Sequence, residues 1–323
     1  MTGSGSVPPR LVCLGNLTVD DVILPDGTAR AGCMGGDALY AALAARLWEP
    51  AVEMVTPVGE DLPPEVTAQI LQAGFSFAGL PRRSVPTIHN QVRYDDHGGR
   101  SWTIHTSPEH FHALSPLPRD VPPAYLAART FLVAAMSLDA QEQLVGWLRT
   151  HTTATVALDV QEDYIKGNED RLDALIRQVD VFMPSEEEVR RLVGHEDWLR
   201  AAQHWASGGP RVVVIKRGAA GSLVYDALRE HVCETPAFPT PAVDTTGAGD
   251  AYCGGFLATL ILEPDRFDRA ARAGAVSASF AIAGFGMDSL LRARPAEATD
   301  RLARWEEALP MPANRPARSP IRD

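Results

Sequence analysis

The sequence predicts an α/β fold with a mostly parallel sheet and a small β lid. Short apolar runs alternate with segments of helical periodicity along most of the chain, the rhythm of strand–helix–strand units. Two hairpin patterns interrupt that rhythm before residue 110 and group together as a lid over one sheet edge. At 323 residues, with 45% hydrophobic and 22% charged residues, the chain has the length and composition of a globular α/β protein.

Residues 11–15 form a short apolar run ending in glycine, a buried first strand. Residues 16–23 follow, with Pro25, Asp26 and Gly27 as the turn of an exposed hairpin. Gly35 and Gly36 open a helix whose Leu39, Ala42, Leu43 and Leu47 share one face. A strand over 52–55 and a helix over 63–73 continue the rhythm. The second hairpin runs over 87–94, a turn at 95–99, and 101–106. Strands at 130–135, 155–158, 179–183 and 211–216 then alternate with helices over 139–149 and from Pro184 through Leu192. Residues 222–225 and 230–235 read as an antiparallel edge pair. Helices over 248–262, 267–284 and 297–308 close the chain, and the proline- and arginine-rich tail 311–323 is expected to be unpacked.

The net charge of −11 argues against a nucleic-acid partner or an anionic membrane surface. Cys13, Cys33, Cys233 and Cys253 are scattered with no CxxC pair, so a reducing, cytoplasmic setting is expected. The first ten residues carry no apolar signal core, and no run reaches membrane-spanning length. His89, His105, His110 and His112 cluster in the lid segments without acidic or cysteine partners at ligand spacing, and read as solvated histidines.

The most informative stretch is 243–256, Val-Asp-Thr-Thr-Gly-Ala-Gly-Asp-Ala-Tyr-Cys-Gly-Gly-Phe. Gly247 and Gly249 allow a tight turn just before an apolar helix. The first amides of a helix lack internal acceptors and lie at its positive end, which makes such a turn an anion site. Asp250 falls at the helix start, where a carboxylate suits a general base that takes a proton from an attacking hydroxyl. The stretch is neither a P-loop nor a dinucleotide fingerprint, because the lysine of the one and the third glycine of the other are missing. Gly15 and Asn16, Asp159, residues 185–188, residues 216–218 and residues 244–250 all follow predicted strands, so they should converge on one sheet edge.

The pattern Asp-Thr-x-Gly-Ala-Gly-Asp, from Asp244 to Asp250, resembles the second signature of the ribokinase-like (PfkB-type) carbohydrate kinases, and the likeness extends from about residue 11 to 286. The resemblance implies a ribokinase-like three-layer sandwich, a single kinase domain over 11–310 with its lid from about 17–34 and 85–108. It implies ATP and Mg2+ as cofactors and a small sugar or polyol whose hydroxymethyl group is phosphorylated. Asp250 would be the base, and the amides of Gly247, Ala248, Gly249 and Asp250 would stabilise the transferring phosphate. Asn16, Asp20, Gly35, Gly36 and Tyr40 would face the substrate, with Asp21 solvated. Tyr40 stands where the family usually has Asn and reads equally as a core aromatic; Asp37 stands where ribokinase proper has Lys, so ribose is not implied.

Ser185 and Glu188 match the Asn-x-x-Glu motif, with Ser185 for Asn and Glu188 tied to Mg2+ through water, while Ser185 also suits a helix cap. Lys216, Gly218 and Gly221 resemble the strand–turn along the nucleotide, with Lys216 at a Thr position, in reach of a phosphate or solvated. Thr246 would contact the nucleotide, Ala283 and Gly284 would border the adenine, and Asp244 would hold a K+ ion. A homodimer through the lid is a further expectation by analogy. Two alternatives stand beside this reading: a nucleoside kinase with Trp102 or Phe111 as an aromatic shelf, and a non-catalytic sugar-binding regulator.

Overall fold

The computed structural model describes residues 8–95 and 100–308. The predicted tail and most of the turn after Asp95 lie outside the described residues. In chain order the strands and helices are β1 (Leu11–Leu14), β2 (Thr18–Ile23), β3 (Ala29–Gly35), α1 (Asp37–Ala45), β4 (Val52–Val55), β5 (Val58–Gly59), α2 (Pro64–Gln72), β6 (Arg82–Arg83), β7 (Ile88–Tyr94), β8 (Arg100–Ile104) and α3 (Pro108–Ala113). Then come β9 (Thr130–Val133), α4 (Leu138–His151), β10 (Thr155–Leu158), α5 (Glu169–Ile176), β11 (Val181–Phe182), α6 (Glu186–Val193), α7 (Trp198–Ala206) and β12 (Val212–Lys216). The chain continues through β13 (Ser222–Asp226), β14 (His231–Thr235), α8 (Ala248–Leu262), α9 (Phe267–Ala281), α10 (Asp288–Arg292) and α11 (Pro295–Ala308).

The main sheet has the order β14-β13-β12-β11-β10-β9-β1-β4. The six strands from β12 to β4 run parallel, and β13 and β14 add an antiparallel edge. Parallel strands covered on both faces read as continuous apolar runs, as LVCL and VVVIK do here. Alternate side chains then serve two cores. Leu11 and Cys13 join α1, α8 and α9 on one face, while Val12 and Leu14 join α4, α5 and α7 on the other. The result is a three-layer α/β/α sandwich. Strand order reverses at β1, whose neighbours are β4 and β9, and such a switch opens a crevice at the carboxyl ends of the strands.

The two predicted hairpins form one four-stranded sheet of order β3-β2-β7-β8, with β2 and β7 parallel at the seam. Its inner face is small: Val22, Val92 and Tyr94 pack together with Leu24, Cys33 and Phe285. Phe285 lies just beyond α9, so this sheet is anchored on the C-terminal side of the crevice. Helices α3, α5, α7 and α10 were not singled out by apolar spacing; each has nine residues or fewer, too short for a clear period. Helix α9 stops at Ala281, ahead of the expected 284, and the Ala283 N–H still reaches back to Phe280 O at 3.4 Å.

Candidate active site

Helix α8 delivers its N-terminus to the carboxyl edge of the sheet. Gly247 is its N-cap with φ 71°, a left-handed conformation that favours glycine. A Cβ there would lie 2.3 Å from the Tyr40 ring, so glycine is required twice over. The Tyr40 ring, 2% exposed, is therefore the floor of the turn. Burial, with Asp244 and Asp250 nearby, pushes its phenol up and keeps it neutral. The N–H groups of Gly247 and Gly249 have no acceptor among the described residues, as an anion site requires. Asp244 shapes the turn from beneath. Its Oδ1 accepts the Thr246 N–H at 2.8 Å and its Oδ2 accepts the Gly286 N–H at 2.9 Å. A carboxylate thus ties the turn to the segment that follows α9, and both its oxygens already serve amides.

Asp250, in the first turn of α8, is pushed up to about 6 by burial and by Asp159, against the opposing pull of Lys216. Lys216, at the end of β12, is ion-paired with Asp159, at the end of β10. The same ammonium lies 3.6 Å from Cys253 Sγ, and a Cβ at Gly249 would sit 3.4 Å from it. Burial works against the charge on Lys216, but Asp159, with Glu188 further off, holds the ammonium above its ordinary value. Glu188 is pushed up to about 7 by burial and by Asp159. Its Oε2 accepts the Ser185 N–H at 2.6 Å, and its own N–H donates to Ser185 Oγ at 3.3 Å. This capping box makes Ser185 the helix cap that its residue type suggested. Glu188 Oε1 has no hydrogen bond among the described residues, and one free carboxylate oxygen fits a magnesium ion that keeps most of its water.

Across the crevice, Asp20 on β2 accepts from Thr18 Oγ1 at 2.7 Å and from Asn90 Nδ2 at 3.1 Å. Burial pushes its carboxyl up to about 6 despite those bonds. Gly35 lets the strands approach here, since a Cβ would lie 2.2 Å from Thr18 Oγ1 and 2.4 Å from Asp20 Oδ2. Gly36 has φ 105° and caps α1. Asp37, next in line, accepts the Asn16 N–H at 2.8 Å, and its other oxygen is buried without a partner among the described residues. The Asn16 amide donates to Leu114 O at 2.9 Å and accepts from Ser115 Oγ at 3.2 Å, so it braces the loop after α3.

After β12, Gly218 and Gly221 adopt φ 51° and 86°, and the Arg217 N–H closes their turn on Gly221 O at 2.7 Å. Ala283 and Gly284 line, with Arg30 and Phe285, a cavity of about 410 Å³. The lid reaches this side as well: Tyr94 OH lies 3.2 Å from Thr246 Oγ1, and its ring meets Phe285 edge-on at 5.5 Å. Of the lid histidines, His89 and His105 meet edge-on with ring centroids 6.2 Å apart, and the others lie elsewhere. His89 pairs with Asp21 at 3.1 Å, His110 meets Pro86 O, and His112 meets Ser137 Oγ. Asp21 is thus half-buried and paired, where solvation was expected. No metal-binding cluster occurs among the described residues. Phe111 is half-buried on α3, and Trp102 lies on β8 opposite Val92, its side chain outside what is described. Asp159, Thr18, Asn90 and Tyr94 carried no assigned part in the sequence; only the position of Asp159 after a strand marked it.

Unpaired amides beside a pinned ammonium, and an acid that titrates near neutrality, suit phosphoryl transfer to a hydroxyl. The sequence profile described as pfkB family carbohydrate kinase matches residues 32–293. The chain is 32% identical over 249 residues to a cytidine kinase of Thermococcus kodakarensis, covering 77% of this chain and 87% of that one. It is 28% identical over 268 residues to a fructokinase of Klebsiella pneumoniae, covering 78% and 84%. In structure it resembles a putative ribokinase II of E. coli in complex with ATP and Mg2+, with TM-score 0.76, 20% identity, and coverage of 92% and 99%. The chain belongs to the pfkB family of carbohydrate kinases. It is a phosphotransferase with an alcohol acceptor on a ribokinase-like fold. Among the described residues no helix is long and apolar enough to cross a membrane.

Proposed function

We propose that this kinase transfers the γ-phosphoryl group of ATP to a hydroxymethyl group of a small sugar or polyol, within a single domain over 11–310 whose lid is the four-stranded sheet. The observation that carries the reading is the placement of Asp250, with its raised pKa, in the same first turn as the unpaired amides of Gly247 and Gly249. The acceptor hydroxyl oxygen attacks the γ-phosphorus, its proton passes to Asp250, and the bond to the β–γ bridging oxygen breaks to release ADP. The amides and Lys216 neutralise charge that grows on the transferring oxygens, so positioning and electrostatics carry most of the rate. Glu188 would hold Mg2+ through water, and the ion supplies positive charge to the phosphates. Asp20, braced by Thr18 and Asn90, accepts hydrogen bonds from acceptor hydroxyls. Gly218, Gly221, Thr246, Ala283 and Gly284 would border the nucleotide. The occupied oxygens of Asp244 favour a structural clamp over a K+ ligand.

The likeness to a cytidine kinase favours a second reading, a nucleoside acceptor whose ribose takes the same place over Asp20. ADP release measured with D-ribose, D-fructose and cytidine separates the two, and 31P NMR of the product identifies the phosphorylated carbon. Binding of MgATP with no turnover on any acceptor would favour the non-catalytic regulator instead.

A further inference from the structure

The Lys216 ammonium is reached by a chain of contacts that nothing in the reaction above requires. Gln141 on α4 donates from its Nε2 to Ala134 O at 2.9 Å and to Asp159 O at 2.7 Å. It thereby ties the carboxyl ends of β9 and β10 together. The Val160 N–H donates to Asp159 Oδ1 at 3.1 Å, which fixes the rotation of that carboxylate and turns Oδ2 to Lys216, with the Cys253 thiol 3.5 Å away on the same oxygen. Side-chain exposure is 5% for Asp159 and 11% for Lys216. A buried lysine has many rotamers to lose and a charge to keep, and a partner carboxylate settles both. The ammonium has three donors. One goes to Asp159 and one faces Cys253 Sγ at 3.6 Å, a weak acceptor. Capacity is left on the side of Gly249, where the α8 amides are unpaired.

We propose that Asp159 is a positioning residue for phosphoryl transfer, holding the Lys216 ammonium against Gly249 so that it meets the transferring phosphate beside the α8 amides. This rests on Lys216 being a phosphate ligand. In this role Asp159 acts on the phosphate through the lysine, and its charge on Asp250 is a separate effect that shifts only the pH dependence. When phosphate oxygens arrive, the unused donor turns to them while the bond to Asp159 stays, so no reorganisation is needed as charge develops.

A double-mutant cycle tests this, because a residue that acts on the transferring phosphate through another has no effect there once that other is gone. It is run at pH 8 or above, where Asp250 is ionised, because Asp159 also helps to raise Asp250 towards about 6. The variants are Asp159→Asn, Lys216→Met and the double variant, with Asp159→Glu as the conservative control. Turnover is measured with MgATP and with cytidine or D-fructose, whichever the wild-type protein uses faster. Calorimetry of MgATP alone gives the same cycle without an acceptor. Lys216→Met should lower kcat about 10²-fold, the scale of losing one oxyanion-type donor. Asp159→Asn should lower it about tenfold with acceptor KM nearly constant, and Asp159→Glu should recover part of that. The double variant should match Lys216→Met to within about twofold, and should melt higher than it, since Lys216→Met alone strands a buried carboxylate. Losses that multiply in the double variant, or wild-type kcat in Asp159→Asn with Lys216→Met impaired, would overturn the positioning of Lys216 by Asp159. Wild-type kcat and MgATP affinity in Lys216→Met would instead remove Lys216 from the phosphate site altogether.

Discussion

Replacing Asp250 by Asn separates chemistry from stability. The substitution keeps the shape of the side chain and removes the proton acceptor. General-base catalysis contributes about 10²- to 10⁴-fold, so kcat should fall by that order. The stability effect has the opposite sign. The Asp250 carboxyl rises from 3.8 to about 6 on folding, so the folded state binds the proton more tightly than the unfolded chain. Well below pH 3.8 both states hold the proton and the site costs nothing, and the cost begins as the unfolded carboxyl ionises. As pH rises through 6 the folded state must carry a disfavoured charge, and stability is lost. Two pH units correspond to about 3 kcal/mol at 1.36 kcal/mol each. Asp159 and Lys216 share in that titration, so about 1–3 kcal/mol is the expected gain for Asp250→Asn at pH 8, a rise of a few degrees in Tm. At pH 4 the gain should shrink to about 0.5 kcal/mol or less.

Differential scanning fluorimetry at both pH values, beside a coupled ADP-release assay, measures the two effects together. In the wild-type protein kcat/KM should rise with pH through about 6, as the base ionises. Turnover of Asp250→Asn within about tenfold of wild type would refute the base assignment. A lower Tm at pH 8 would refute the account of its burial.

Asp20→Ala should raise the acceptor KM about ten- to hundredfold, the worth of hydrogen bonds to a charged group, and leave the KM for MgATP nearly unchanged. Steady-state kinetics varying each substrate in turn decides it, and equal effects on both would place Asp20 elsewhere. Gly35→Ala should reproduce much of that defect without touching the acid, because its Cβ would displace Thr18 Oγ1 and Asp20 Oδ2; an unchanged acceptor KM would show that the crevice tolerates their shift. Asp244→Asn should act in the reverse sense to Asp250→Asn. Its amide would point a donor at the N–H of Thr246 or Gly286, costing about 1–3 kcal/mol in a thermal melt and weakening MgATP about tenfold or more by calorimetry.

Much of this architecture is local and so is legible in the chain. Helix α8 begins at Ala248, directly after the glycine that the turn required, and ends at Leu262 where its apolar period ends. The antiparallel edge and both hairpins follow from turn residues between β-prone runs. Short helices escaped because nine residues or fewer hold too few repeats to reveal a face. In the site, residues 244–250 could be read because their conformation depends on their own glycines and on helix polarity. The partners of Asn16 could not be read from the sequence, because its amide is met by Leu114 and Ser115, 98 and 99 residues away.

By itself, then, the sequence determined the turn, the first residue of the helix behind it, the carboxylate set there, and the strand ends that border the crevice. Those depend on backbone freedom and periodicity, which act over a few residues. Only the tertiary structure decided the charge state and aim of those groups. The sequence left Lys216 to cap its strand in solvent or to reach a phosphate; the structure pairs it with Asp159, because β10 lies one strand beyond β11 in the sheet and brings that carboxylate to it across 57 residues of chain. Tyr40 could face the crevice or the core, and the close approach of Gly247 made its ring the floor of the turn. Pairing and burial set these outcomes because the free energy of a charge depends on every dipole and carboxylate within several ångströms, whichever part of the chain supplies them.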